Sequence, residues 1–101
     1  MHGLLDSADG WIIHDDESPA FQLSRAGYDV WLGNSRGNKY SRKHVSLNTK
    51  SKEFWNFSWE ELGTYDLPAM TDYILSENED YQKLGYIGHS MGTTQVFFAL
   101  S

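Results

Sequence analysis

The chain has no cysteine, only two prolines and no apolar run of membrane-spanning length. Without cysteine, disulfides give no indication of the redox compartment. We expect no transmembrane segment, and the first residues lack the pattern of a signal peptide. No internal repeat or low-complexity stretch is present, and 101 residues suffice for one small domain.

Positive charge is also scarce, since the net charge is −6. Six of the eight cations lie in one stretch: Arg36, Lys39, Arg42, Lys43, Lys50 and Lys52. A basic cluster can bind phosphate or nucleic acid. Here the overall acidity and the lack of a nucleic-acid-binding motif argue against a nucleic-acid partner. We interpret the stretch as a solvated loop, in which Arg36 forms hydrogen bonds within a tight turn.

The most informative motif is G-x-S-x-G at residues 88–92, where a short apolar run ends and a helix-like segment begins. A strand, a sharp turn and a helix in this order are typical of a nucleophile elbow. We therefore predict that Ser90 is a nucleophile on a strained turn with positive φ. Gly88, His89 and Gly92 are expected to build the elbow, because the two glycines let strand and helix approach closely.

A second motif, His2-Gly3-Leu4-Leu5, opens the chain. An oxyanion hole of this type uses one backbone N–H from such a loop and one from the residue after the nucleophile. Leu4 and Met91 fit these two positions, and both would act through backbone amides. His2 is expected to support the loop. Taken alone, a His-Gly pair would indicate no more than a turn.

These motifs occur in a wider pattern that resembles the acid lipase family, which includes gastric and lysosomal acid lipases. The matching stretches are His2 to Leu5, Ala26 to Asn38, Glu53 to Trp55, Phe57-Ser58, Tyr65 to Ala69 and Tyr86 to Ser90. The resemblance covers nearly the whole chain. It implies a partial α/β-hydrolase fold, with a parallel sheet, crossover helices and a nucleophile elbow.

The resemblance also implies that residues 1–101 are an internal fragment of one α/β-hydrolase domain, from the oxyanion loop through the elbow to the following helix. Neither end has the polar, flexible character of a domain boundary. In this fold an Asp or Glu and then a His follow the nucleophile along the chain. Neither follows Ser90, and the four histidines all precede it: His2, His14, His44 and His89. We expect the side chain of His89 to point away from the Ser90 hydroxyl.

Helices and strands alternate in the predicted order, which favours an α/β arrangement. The first helix should start with Ser18 as its cap and Pro19 at its first position, have Phe21, Leu23 and Ala26 as its apolar positions, and end at Gly27. Strands are predicted at residues 28–32 and 84–87, and a loop at 33–52.

A second helix should begin at Ser58, whose capping box with Glu61 satisfies free N–H groups. Pro68 should kink or split that helix. A third strand expected before His2 would lie between the two predicted strands, so the sheet of this chain should be incomplete, with an empty slot.

The resemblance implies a secreted or lysosomal lipase that hydrolyses triacylglycerols or sterol esters at a lipid–water interface, without cofactor or metal. The alternative is a non-catalytic family member or partial gene product with an interaction role. Without the remaining triad residues, we expect the chain alone to be inactive. The sequence Asn56-Phe57-Ser58 is a glycosylation sequon. Its overlap with the helix cap and its aromatic neighbours favour an unmodified Asn56.

Overall fold

The computed structural model describes residues 1–101, and all of its regular structure is helical. Short 3-10 helices cover Ala8–Trp11, Asp15–Glu17 and Glu53–Trp55. The α-helices are α1 (Pro19–Arg25), α2 (Trp59–Glu61), α3 (Leu67–Glu77) and α4 (Met91–Leu100). Residues 33–52 form the predicted loop. None of the helices has the length and apolarity needed to cross a membrane.

Helix α1 has the predicted limits but a different N-terminal arrangement. Pro19 lies in its first turn, whereas the Ser18 hydroxyl accepts a hydrogen bond from the N–H of His14 at 2.8 Å instead of capping the helix. At the other end, Gly27 has φ of 97°. The N–H of Gly27 donates to the carbonyl of Ser24, and the N–H of Tyr28 donates to the carbonyl of Leu23. This pair of bonds is a Schellman motif, and it ends the helix.

The capping box at the start of α2 is confirmed, because Ser58 and Glu61 satisfy each other's side-chain and backbone groups. Pro68 also splits the helical segment as predicted. A π-helical turn, Leu62–Asp66, separates α2 from α3. Proline lacks an N–H and clashes with the preceding turn, so a wider turn before Pro68 accommodates it.

The two predicted strands are not observed. Residues 28–32 and 84–87 have no regular structure, and no backbone hydrogen bond joins one segment to the other. A strand requires a neighbour for its N–H and C=O groups, and neither segment has a complete one here. The apolar side chains that a sheet would cover are exposed, among them Tyr28 and Ile87.

Met1 makes the hydrogen bonds of a single parallel pairing. Its amino group donates to the carbonyl of Ile87, and its carbonyl accepts the N–H of His89 at 3.0 Å. Two bonds that reach the residues on either side of Gly88 are the pattern by which parallel strands pair. Met1 therefore lies alongside residues 87–89, where a neighbouring strand of a parallel sheet would lie.

The core is small. Only 13 of 101 residues are buried, and the apolar ones are Ala8, Ala20, Phe54, Leu62 and Leu67. The apolar positions predicted for α1 contribute little to this core, because Phe21 and Ala26 are exposed and Leu23 is half-buried. The radius of gyration is 14.4 Å, against about 13 Å for a compact chain of this length. The chain is thus loosely packed, with many apolar side chains in contact with solvent.

Candidate active site

Ser90 lies immediately before α4 in the backbone conformation that the elbow motif predicts. Its φ is 51° and its ψ is −117°, and the helix begins at Met91. A positive φ is costly for a residue with a side chain, so the surroundings must enforce it. The carbonyl of Ser90 accepts the N–H of Thr93 at 2.9 Å, which closes the first turn of the helix. The Ser90 side chain is left exposed to solvent.

Glycines make the close contacts around this turn possible. A Cβ on Gly88 would lie 2.9 Å from the carbonyl carbon of Gly92, and a Cβ on Gly92 would lie 2.6 Å from the carbonyl oxygen of Met1. Both distances are below any ordinary van der Waals contact. The elbow therefore packs backbone against backbone, which supports the predicted structural role of Gly88 and Gly92.

The loop after Met1 lies against Ser90. A Cβ on Gly3 would be 3.2 Å from the Cβ of Ser90 and 3.2 Å from Nδ1 of His89. The Gly3–Leu4 peptide is therefore beside the hydroxyl-bearing residue. Neither the N–H of Leu4 nor that of Met91 has a hydrogen-bond acceptor within the chain. An oxyanion hole requires unpaired donors of this kind. Leu4 follows the glycine that contacts Ser90, and Met91 follows Ser90 directly.

His2 holds this loop in place. The ring is 2% exposed, its Nδ1 donates to the carbonyl of Gly3 at 2.8 Å, and its Nε2 accepts the N–H of Ser35 at 3.0 Å. We assign the ring proton to Nδ1, because Nε2 must be free to accept. Asn38 contributes an amide nitrogen 3.1 Å from the same Nε2. His2 is therefore the structural support that the sequence predicts.

A buried polar network continues from Ser35, and no pattern in the sequence predicts it. The fully buried Gln95 on α4 accepts the Ser35 hydroxyl at 3.4 Å and donates to the carbonyl of Leu62 at 3.2 Å. Gly63 allows this approach, since a Cβ there would be 2.7 Å from the carbonyl oxygen of Gln95. The network connects the oxyanion loop, the loop after residue 32, α4 and the π-helical turn.

Arg36 pairs with Asp66, which the sequence analysis did not identify as its partner. Its Nε donates to Oδ1 of Asp66 at 2.8 Å, and its backbone N–H donates to Oδ2 at 3.2 Å. The hydrogen bonds to Asp66 raise the pKa of Arg36. This pair fastens the turn that contains Ser35 to the residue before α3. No sequence signal could have found Asp66, since 30 positions separate the two residues.

His89 lines a cleft of about 280 Å³ beside the oxyanion loop. The cleft is bounded by His2, Asp6, Gly10, Trp11, Pro19 and His89. The Ser90 hydroxyl makes no hydrogen bond to any histidine or carboxylate of the chain. The ring nitrogens of His2 and His44 are bonded to backbone groups elsewhere. The site consists of a serine on an elbow and two free amide donors. No cluster of three metal-ligating side chains lies in it or elsewhere in residues 1–101.

A sequence profile described as "alpha/beta hydrolase fold" matches residues 1–101, the full length of the chain. The chain belongs to the α/β-hydrolase fold family. It is 52% identical over 102 residues to Lipase member K of Mus musculus, covering 100% of this chain and 25% of that protein. Identity is also 52% to Gastric triacylglycerol lipase of Mus musculus, with 100% and 26% covered.

A third relative of this α/β-hydrolase is Putative lysosomal acid lipase/cholesteryl ester hydrolase of Crotalus adamanteus, 48% identical, with 100% of this chain and 25% of that protein covered. The resemblance to acid lipases is therefore confirmed. The chain spans about a quarter of the length of the curated relatives it matches.

Proposed function

We propose that this α/β-hydrolase chain carries the nucleophile and the oxyanion hole of a serine hydrolase that cleaves lipid esters, either triacylglycerols or sterol esters. The observation that carries the proposal is Ser90 at φ 51°, directly before α4 and beside the Gly3–Leu4 peptide. A strained, exposed serine at a helix N-terminus is the geometry of an acyl-transfer nucleophile.

In the proposed reaction, Ser90 Oγ attacks the carbonyl carbon of the ester while a general base takes its proton. The tetrahedral intermediate puts negative charge on the former carbonyl oxygen, next to the N–H groups of Leu4 and Met91. Each such donor is worth about 3–4 kcal/mol of transition-state stabilisation. The alcohol leaves with the proton, and water then releases the fatty acid from the acyl-enzyme.

The base and the acid that orients it are proposed to come from residues outside 1–101. Within the chain, both ring nitrogens of His2 are engaged in the loop network, and His44 Nδ1 accepts backbone N–H groups in an exposed loop. Residues 1–101 would then form one part of a single hydrolase domain. The mechanism needs no cofactor or metal, because serine, histidine and a carboxylate supply all of its groups.

The names of the relatives, gastric and lysosomal lipases, support a secreted or lysosomal destination and a substrate held at a lipid–water interface. Leu4 and Leu5, which follow the glycine that contacts Ser90, are both exposed, and Leu5 is 98% exposed. Exposed apolar side chains at the mouth of the site are suited to contact with a lipid surface.

The test uses the complete protein, a short acyl ester and a fluorophosphonate probe that labels activated serines. We expect Ser90→Ala to remove labelling and to lower kcat by about 10⁴-fold or more, whereas Ser76→Ala, an exposed serine of α3, should leave both unchanged. The isolated 101-residue chain should neither label nor turn over ester. Serine-dependent hydrolysis by that chain would show that its base lies within it.

A non-catalytic role in protein interaction is the second candidate, and the Ser90 hydroxyl without a base in contact favours it. A complete protein that folds cooperatively but shows neither probe labelling nor hydrolysis would support this alternative over the enzyme.

A further inference from the structure

Asn56 begins the only glycosylation sequon among the 101 residues, Asn56-Phe57-Ser58. Its side chain is exposed, and the side-chain amide has no hydrogen-bond partner in the chain. An acceptor asparagine must present this amide nitrogen to solvent, because the attached sugar is bulky and hydrophilic. Asn56 therefore meets the steric requirement for carrying a glycan in the folded protein.

The backbone makes a sharp turn at Asn56. The N–H of Phe57 donates to the carbonyl of Trp55 at 2.9 Å, and Asn56 between them has φ of −80° and ψ of 66°. These are the dihedrals of the central residue of an inverse γ-turn. Asn56 is thus the apex of a tight turn between the 3-10 helix Glu53–Trp55 and α2, a surface position by construction.

The neighbouring helix cap does not engage Asn56. Ser58 bonds the Glu61 carboxylate through both its N–H and its hydroxyl, at 2.7 and 2.9 Å. The aromatic neighbours leave the amide free as well, since Phe54 is buried and Trp55 is directed to the carbonyl of Thr49 through its indole N–H at 2.7 Å. Aromatic residues do lie near Asn56, since it lines a cleft of about 420 Å³ together with Phe54 and Phe57. The side-chain amide nevertheless remains exposed, and neither the cap nor an aromatic side chain forms a hydrogen bond with it.

We propose that Asn56 is an N-glycosylation site. In the transfer, Asn56 Nδ2 forms a bond to the anomeric carbon of an oligosaccharide carried on a lipid pyrophosphate. The anomeric C–O bond to the pyrophosphate breaks, the lipid pyrophosphate leaves, and the amide nitrogen loses one proton. The proposal rests on the secretory or lysosomal destination proposed above. The glycan would stand beside Trp55 and Trp59, which are 43% and 55% exposed, and would add a hydrophilic cover near these two rings.

The test expresses the complete protein in a eukaryotic secretory cell line and treats it with peptide N-glycosidase in heavy-oxygen water. We expect the peptide containing Asn56 to be recovered as labelled aspartate, and the untreated protein to migrate more slowly than the Asn56→Gln variant. Ser58→Ala should abolish the modification. Ser58→Thr keeps both sequon and cap, and Glu61→Ala disrupts the cap but keeps the sequon, so both should remain glycosylated.

An unmodified Asn56 peptide in protein recovered from the lumen or the medium would overturn the site, and so would retention of the protein in the cytosol. Neither result would touch the proposed chemistry, which is measured separately as ester hydrolysis. We expect Asn56→Gln to keep its probe labelling at Ser90, because Asn56 makes no hydrogen bond to the elbow or to the oxyanion loop.

Discussion

The backbone N–H of Ser35 donates to Nε2 of His2 at 3.0 Å, while Nδ1 of the same ring donates to the carbonyl of Gly3 at 2.8 Å. One buried imidazole therefore links two segments, the loop that contains Leu4 and the turn that contains Ser35. The ring acts on the proposed site only through the backbone it holds, so His2 is a positioning residue.

Replacing His2 by alanine should lower the rate of the chemical step more than it weakens the binding of substrate. The N–H of Ser35 would lose its acceptor in a buried position, at a cost of about 1–3 kcal/mol, and the Leu4 amide would lose its fixed orientation. In the complete protein we expect kcat to fall with KM nearly unchanged. His14→Ala, an exposed histidine without side-chain hydrogen bonds, is the matched control. Equal losses in both variants would contradict the positioning role.

The Arg36–Asp66 pair should be worth more than the surface pair Lys39–Asp9. Arg36 donates two kinds of hydrogen bond to a carboxylate that is 11% exposed, whereas Lys39 and Asp9 are 58% and 37% exposed. Hydrogen bonds to charged groups contribute about 1.5–3 kcal/mol, whereas solvent screens an exposed ion pair and leaves it little net effect on stability. Denaturant unfolding of Asp66→Asn and Asp9→Asn should reproduce this order. A larger loss for Asp9→Asn would refute it.

Gly63 should not tolerate a side chain. A Cβ there would lie 2.5 Å from the Cβ of Phe98 and 2.7 Å from the carbonyl oxygen of Gln95, so the π-helical turn and α4 would be forced apart. We expect Gly63→Ala to destabilise the protein by about 1–3 kcal/mol, as overpacking does, and to lower its melting temperature. Gly85→Ala serves as the control, because a Cβ there meets nothing within 4 Å in this chain.

Tyr86 should make stability depend on alkaline pH. Burial raises the pKa of Tyr86 to about 12 from 10.0, and its hydroxyl donates to the carbonyl of Gly92 at 2.7 Å. The folded state holds the proton more tightly than the unfolded state. The stabilisation that the protonated Tyr86 hydroxyl gives the folded state is therefore fully present below pH 10 and is lost as the pH rises towards 12. Thermal unfolding across this window should show the loss, and Tyr86→Phe should reduce it.

The isolated 101-residue chain should be marginally stable or prone to aggregate. Only 13 of its residues are buried, and most backbone groups of residues 28–32 and 84–87 lack the hydrogen-bond partners that a neighbouring strand would supply. We expect broad thermal unfolding and self-association in analytical ultracentrifugation. A sharp, reversible transition of a monomer would show this expectation to be wrong.

Local features of the site were accessible from the sequence. The elbow, the capping box of Ser58 and Glu61, and the end of α1 at Gly27 depend on residues within a few positions of one another, so their spacing specifies them. The strands were predicted from apolar runs, but a strand forms only where another segment supplies hydrogen bonds. The runs at 28–32 and 84–87 do not find that segment in this chain.

The partners that hold the site together are distant in sequence and were not predicted. Ser35 meets His2 across 33 positions, and Gln95 meets Ser35 across 60. A lone glutamine in an apolar helix carries no pattern that distinguishes a buried hydrogen-bonding role from an exposed one. Only the packing of α4 against the π-helical turn, which Gly63 permits, assigns Gln95 to the interior.

The two N–H groups proposed to form the oxyanion hole belong to the main chain. The proposed stabilisation of charge therefore depends on the backbone, whereas contacts with the acyl group depend on the side chains. The amides of Leu4 and Met91 keep their places whatever side chains those positions bear, provided the loop and the elbow hold. The Leu4 side chain itself is 69% exposed. Under the proposed function, we expect replacement of residues 4 and 91 to change which acyl group is accepted and to leave the two proposed charge-stabilising amides in place, so these are the positions at which to vary selectivity.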